Sequence, residues 1–507
     1  MDTHKKAAFL QLCQEISDTV YLPHIADIYE ITYAYQPFYE NGKQYFFNTT
    51  LFSTFLQLDT SISSQKIQQY TTKERQDLFD QSQEKLQKHL QSLQHCQQKI
   101  AHFPHQDMLE EKDFLKRTVN YMKNITKIAY RLPFEEKMNI MHALSYEEIQ
   151  QRIYQISTLE TEIFGVVHKN PDEVSRVYVS LMSQFSQYNT NLSKKEQEQF
   201  SKYLHICEQL LTHTSPPLVR SSSIETDEIF KTPIPRTVYV RIFQKVLHIY
   251  GFKQEIRVEP RSSIYDGKYL IPDSDSYAFL PLYRVFELIT HEIETHYITD
   301  AHSQKIIGNI RSNNLPREEG LAMTAERMIR NKPISTKSLV ITLFGEILNE
   351  KELKNFLYLY SKLTKKTTSL QLFLRSKRNY PFYIPGVQHK DVTYYRGQQY
   401  IAEEYIIKNK NLSDLYLGKV SFSDIAFLKK QALSENIALQ YPFFIGDILQ
   451  YMIHKQYDTY QNDISEYIEK KYTLFLPKNT KICLNSSQKE ILTEILSILK
   501  ACIPRTS

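Results

Sequence analysis

The fold class this chain predicts is mostly α with a small β-sheet, an α+β arrangement, and three features point there. Glycine is scarce, 11 of 507 residues, and helix interiors are where glycine costs most. Long stretches repeat apolar residues at helical spacing behind capping signals. Strand-like segments are few, short and gathered in the middle of the chain.

Taken in order, residues 7–35 carry a first helical pattern, and a Phe/Tyr-rich stretch over 36–56 passes into a long polar one. From about 72 to 100, Leu86, Leu90, Leu93 and Ile100 make one narrow apolar seam with Gln and Lys between, which suits a packed helix or a short coiled-coil surface. Capping boxes at Ser145 to Glu148 and Ser193 to Glu196, and Asn170-Pro171 before an apolar-periodic run, start further helices. Residues 1–215 thus read as a helical N-terminal region. Ser215-Pro216-Pro217 opens a polar stretch reaching Pro235, which places a boundary. Residues 216–446 form the next unit, with a helix over 236–250 stopped by Gly251, a strand over 255–258 and a second over 268–271 before Pro272. Residues 447–507 form a Tyr-rich extension ending in a helix, capped by Ser487 to Glu490, with enough apolar residues to pack on the body.

Composition excludes several function classes. No run of about 18 apolar residues appears and the first residues lack a cleavage-site pattern, so a cytoplasmic protein with no membrane partner is expected. The 62 basic and 57 acidic residues are too evenly balanced to indicate nucleic acid. Five scattered cysteines without a CxxC pair argue against a thiolate metal site or a disulfide framework. No glycine-rich phosphate loop occurs. Any metal must be held by His and carboxylates.

Residues 282–300 supply such ligands. His291 and His296 flank Glu292, the order in which zinc peptidases use two imidazoles for the metal and the glutamate for its water. The histidines are five apart where HExxH has four. On a regular helix that leaves them about 140° apart, on different faces. An ordinary charged face accounts for the same residues through i,i+4 pairs of Glu287 with His291, Glu292 with His296, and His296 with Asp300. The alternative is a helix widened by one residue, a π-bulge, a feature found mostly at functional sites. The strand over 268–271 is a candidate sheet edge for an extended substrate, or part of a small structural sheet.

Asn313-Asn314-Leu315-Pro316 starts another helix, on which Glu319 and Glu326 share a face. Gly320 and Ala322 are small enough for close approach to a second helix. Glu319 suits a carboxylate ligand and Glu326 a partner to a ligating histidine. Glu318 is explained as a solvated acidic first turn.

Together these residues resemble a known family. His291-Glu292-Ile293-Glu294-Thr295-His296, followed by Glu318-Glu319-Gly320-Leu321-Ala322, is similar to the HExxxH and (Q/E)EGLA signatures of the microtubule-associated tyrosine carboxypeptidases and their bacterial QEGLA-motif relatives. Lys390-Asp391-Val392-Thr393-Tyr394-Tyr395-Arg396-Gly397 resembles the family's KDxxYxxG, and Gly418-Lys419-Val420-Ser421 its downstream GK segment. The resemblance covers roughly residues 220 to 445. It implies a zincin-like metallopeptidase core and a carboxypeptidase with one Zn2+ ion. His291, His296 and Glu319 are then the ligands and Glu292 the catalytic residue. Two departures stand out: Glu294 replaces the glycine of the commoner HEIGTH form, which is expected to alter local helix geometry or the entrance, and the stretch around Arg375, Lys377 and Arg378 lacks a Gly-containing RG pattern.

The expected substrate is a peptide or protein C-terminus, with an aromatic residue such as tyrosine removed. Zinc would acidify its water and polarise the scissile carbonyl, and Glu292 would carry the proton to the leaving amine. A cation is also needed for the terminal carboxylate, and Lys390, Arg396 and Arg284 are the candidates, with Tyr394 one turn from Lys390. His302 and His389 are not expected to be ligands. Alternatives are a helical interaction protein that keeps the fold without activity, an endopeptidase, and a metal-dependent hydrolase of another substrate.

Overall fold

The computed structural model describes residues 3–20, 37–40, 43–46, 72–104, 108–131, 165–211, 228–253, 255–259, 263–265, 268–272, 277–308, 310, 313–330, 334–365, 369–376, 387, 389, 391–434, 437–477 and 480–503. Among them, helices dominate. The first is α1 (Thr3–Val20), and the aromatic stretch after it forms a hairpin of β1 (Pro37–Glu40) and β2 (Lys43–Phe46). The long polar pattern is α2 (Thr72–Ala101), followed by α3 (Leu109–Arg131). Leu93 and Ile100 of the apolar seam are fully buried, so α2 is a packed helix. The capping box at residues 145–148 lies outside the described residues. The next two capping signals do what their chemistry dictates. Asn170 accepts from the Glu173 N–H at the start of α4 (Pro171–Tyr188), with Pro171 in the first turn. Ser193 and Glu196 form a reciprocal capping box on α5 (Lys194–Leu210).

Helix α6 (Arg236–Ile249) is followed by Gly251, which adopts φ 73°, a left-handed position suited to glycine. Strand β3 (Pro233–Pro235) pairs antiparallel with β7 (Phe279–Pro281). Between them lies a three-stranded sheet of β4 (Ile256–Glu259), β5 (Ser263–Tyr265) and β6 (Lys268–Pro272) in the order β4-β6-β5. This corrects the expectation of an edge at residues 268–271. β6 is the central strand, parallel to β4 and antiparallel to β5. The edge that lies against the central helix is β5.

The central helix runs unbroken from Leu282 as α7 (Leu282–Leu288), a π-helical segment (Ile289–Tyr297) and α8 (Ile298–Ile307). It is followed by α9 (Leu315–Arg330), α10 (Lys337–Ile347), α11 (Glu350–Thr364), α12 (Ser369–Ser376) and α13 (Val392–Ile401). Then come α14 (Ile425–Ser434), α15 (Ile445–His454), α16 (Asn462–Lys471) and α17 (Ser486–Cys502).

The apolar side chains sort into two cores. The larger gathers α1 to α3, α6, the central helix, α9 and α14 to α17. The smaller gathers α4, α5 and α10 to α12. α13 serves both, with Val392 and Tyr395 in the smaller and Ile401 in the larger. No described helix is long and apolar enough to cross a membrane.

Candidate metal centre

The off-spacing histidines meet because the helix carrying them is widened. Within the π segment the Ile298 N–H reaches back five residues to the Ile293 carbonyl, and the Thr295 hydroxyl bonds the Thr290 carbonyl at 2.9 Å. One extra residue per turn brings position i+5 to where i+4 would otherwise lie. The imidazoles of His291 and His296 therefore share a face, with ring centroids 5.0 Å apart.

Glu319 comes to them from α9. Its Oε2 is 3.6 Å from Nε2 of His291 and 3.6 Å from Nε2 of His296, too far for hydrogen bonds. That oxygen is buried and accepts no hydrogen bond. Tetrahedral zinc with bonds of roughly 2.0–2.2 Å separates its ligand atoms by about 3.3–3.6 Å; both Glu319 distances match that spacing, and all three donor atoms lie within 4.8 Å of one another. Among the described residues, His291, His296 and Glu319 are the only group of this kind. The donor set fits zinc: two imidazoles and a carboxylate, with a further position left for water or substrate.

Each imidazole is oriented from behind. His291 Nδ1 is 3.0 Å from Glu326 Oε2, and Glu326 Oε1 accepts from Arg284 at 2.7 Å. His296 Nδ1 is 2.7 Å from Glu318 Oε1, which is 3.2 Å from the buried ammonium of Lys419, and Asn314 donates to the other Glu318 oxygen. A carboxylate on Nδ1 fixes the tautomer that leaves Nε2 free to bind a metal. Carboxylates also outnumber cations here. Burial pulls the His296 imidazolium down, yet Glu319 and Glu318 outweigh it and push it up to about 9. In Glu319 the two imidazoles overcome burial and hold the carboxyl well below its usual range.

The i,i+4 salt bridges of the charged-face reading are replaced by these contacts. Glu287 pairs with Arg284 at 3.1 Å and Arg330 at 3.5 Å. Asp300 pairs with Lys419 at 3.2 Å. Glu318, expected to be solvated, is buried against His296; an acidic first turn looks the same in sequence whether it faces water or a histidine.

In the sequence Lys419 stands out only as part of the segment resembling the GK motif. It is delivered by Arg317, whose buried guanidinium donates to the carbonyls of Leu415, Gly418 and Val420. That clamp ties the 413–421 loop to the first turn of α9. Close approach of α9 and α13 depends on glycine. A side chain on Gly320 would enter the backbone of Gly397, and one on Gly397 would enter the Pro316 carbonyl.

Glu294 does not stand at an entrance. Its carboxylate is fully buried and accepts from the Tyr250 hydroxyl at 2.5 Å, the Thr290 hydroxyl at 2.8 Å and the Ile445 N–H at 2.7 Å. Its partners come from the residue that caps the end of α6, from α15 and from its own helix, whereas those of the imidazoles come from α9. Burial pushes its carboxyl up to about 7 against these three donors.

Glu292 is partly exposed, and its charge acts on His291. Of the expected substrate residues, Lys390 lies outside the described residues. Arg284 is held by Glu287 and Glu326, and Arg396 is held by both oxygens of Glu173 at 2.6 and 2.7 Å. Tyr394 is half-buried on α13. His302 is structural, its Nδ1 2.7 Å from the Tyr416 carbonyl and its Nε2 accepting the Gln440 N–H at 2.8 Å. His389 meets Glu346 at 2.9 Å. No family model matches the chain, and neither does any curated protein.

Proposed function

We propose that the chain is a zinc-dependent carboxypeptidase that removes a C-terminal residue, of the aromatic class exemplified by tyrosine, from a peptide or protein in the cytoplasm. The observation that carries this reading is the π-widened turn that gathers His291, His296 and Glu319 with ligand spacing and leaves Glu292 beside them. The motif resemblance to the tyrosine carboxypeptidases supports it, as does a zincin-like juxtaposition of the metal-bearing helix and a sheet edge, here β5.

His291, His296 and Glu319 would hold the ion, with Glu326 and Glu318 orienting the imidazoles. When bound, zinc supplies a Lewis acid for the scissile carbonyl and a water acidified toward neutral pH. Glu292 takes a proton from the attacking water and returns it to the leaving amine, the task of a carboxylate next to a ligating histidine. The β5 edge offers backbone groups to an extended substrate.

The test is product mass on a panel of peptides ending in Tyr, Phe, Met or Glu, with and without chelator. The expected outcome is loss of one terminal residue, abolished by chelator. Glu292→Gln is expected to slow it by about 10²–10⁴-fold while keeping zinc. Undiminished hydrolysis by Glu292→Gln would sink the assignment, and internal cleavage would replace it with an endopeptidase.

A further inference from the structure

Beside the carboxylates that support the candidate metal centre, one arginine stands without a hydrogen-bond partner on two of its nitrogens. Arg284, Arg327 and Arg330 sit around the carboxylates Glu287 and Glu326. Arg284 uses both carboxylates. Arg330 meets Glu287 and lies 4.1 Å over the Tyr283 ring. Arg327 is that arginine. Its Nε and Nη1 are buried and make no hydrogen bond. Burial holds its guanidinium below the ordinary value, with the charges of Glu326 and Glu287 acting against that fall. A buried donor without an acceptor costs about 1–3 kcal/mol, more when charged, so such an arginine is a site waiting for an anion.

We propose that Arg327 receives the free α-carboxylate of the substrate's terminal residue, and so makes the centre act on chain ends. This rests on the zinc carboxypeptidase reading. Arg327 follows Glu326, the partner of His291, and stands eight residues after Glu319, a rise of about 12 Å along α9. Helical side chains lean toward the N-terminus of their helix, which shortens the axial separation between the Arg327 guanidinium and Glu319. A substrate with its scissile carbonyl at the ligand atoms has its terminal carboxylate one residue farther on, about 3.5 Å of extended chain. A guanidinium binds a carboxylate through two parallel N–H donors, a recognition that an amide or a continuing chain cannot reproduce. Arg284 and Arg396 already have their carboxylates, and Arg327 does not.

The test is calorimetric binding of acetyl-Gly-Gly-Tyr as free acid and as C-terminal amide, using zinc-loaded Glu292→Gln protein so that the peptide survives. The acid is expected to bind about 10- to 100-fold more tightly than the amide. Adding Arg327→Met is expected to abolish that preference while zinc content and melting temperature hold, since no bond within the chain is lost. Arg327→Lys keeps the stem and charge without the fork, and is expected to lose most of the preference even if the Met variant is unstable. Equal affinity for acid and amide, or a preference that survives both substitutions, would overturn the role of Arg327. Hydrolysis failing in the wild type while the acid preference stands contradicts the peptidase reading instead.

Discussion

At the residue scale, the candidate metal centre shows which side chains declare themselves in sequence and which do not. The grouping of His291, His296 and Glu319 was legible because metal chemistry demands those residue types within one short motif and its neighbouring helix. Glu318 and Arg327 were not, since burial and pairing alone separate them from ordinary charged surface. His302 shows the same blindness in reverse. Nothing in its sequence context marks a histidine fixed as the neutral tautomer between the Tyr416 carbonyl and the Gln440 N–H. Burial, helped by the Lys305 charge and opposed by the Tyr416 carbonyl, lowers it to about 4 from 6.5. Because the folded pKa is depressed, the unfolded chain takes up the proton first. The stabilisation is therefore full above about 6.5 and is lost as pH falls through about 4, roughly 3 kcal/mol in all. Urea midpoints from pH 7.5 to 4.5 should fall more steeply for the wild type than for His302→Gln, which has no such proton to gain. Parallel slopes would contradict this.

At the element scale, the decisive features are a π segment and a glycine crossing. The five-residue histidine spacing made a widened helix one of two readings, and the π segment spans both histidines. The crossing was half legible. Gly320 and Ala322 signalled close approach, but only the fold shows that the partner is Gly397 on α13. Gly397→Ala puts a methyl into the Pro316 carbonyl and the Gly320 backbone, which cannot move aside as a side chain would. Overpacking of this kind costs about 1–3 kcal/mol or more. It also pushes α9, with Glu318 and Glu319, away from the imidazoles. The denaturant midpoint and zinc affinity should therefore drop together, and a fall in one alone would contradict the coupling. Sheet order was the least legible feature, because strand composition does not say which neighbours a strand takes. β6 looked like an edge and is the central strand.

At the scale of the whole molecule, the chain order of helices is not the order of its cores. α1 to α3 join the core of the central helix, while α4 and α5 pack with α10 to α12, and α13 reaches into both. Such pairings are set by contacts between segments far apart in sequence, which periodicity cannot encode; it shows only that a face is apolar. Helical content and the caps at Asn170 and Ser193 were accordingly readable, whereas the last helix is capped by Asn485 with Gln488 rather than by Ser487 with Glu490, and the distribution between cores was not readable. The result places α9 between its ligand face and the α13 crossing, and secures the central helix from its other side through Glu294. The proposed activity requires one ion held there. The direct measurement is the zinc content of the purified chain and of His291→Ala, His296→Ala and Glu319→Ala, by elemental analysis after dialysis. One zinc per chain in the wild type and in Glu292→Gln, with loss in all three ligand variants, is the expected result. A wild type that binds no zinc, or ligand variants that all retain it, would contradict the account.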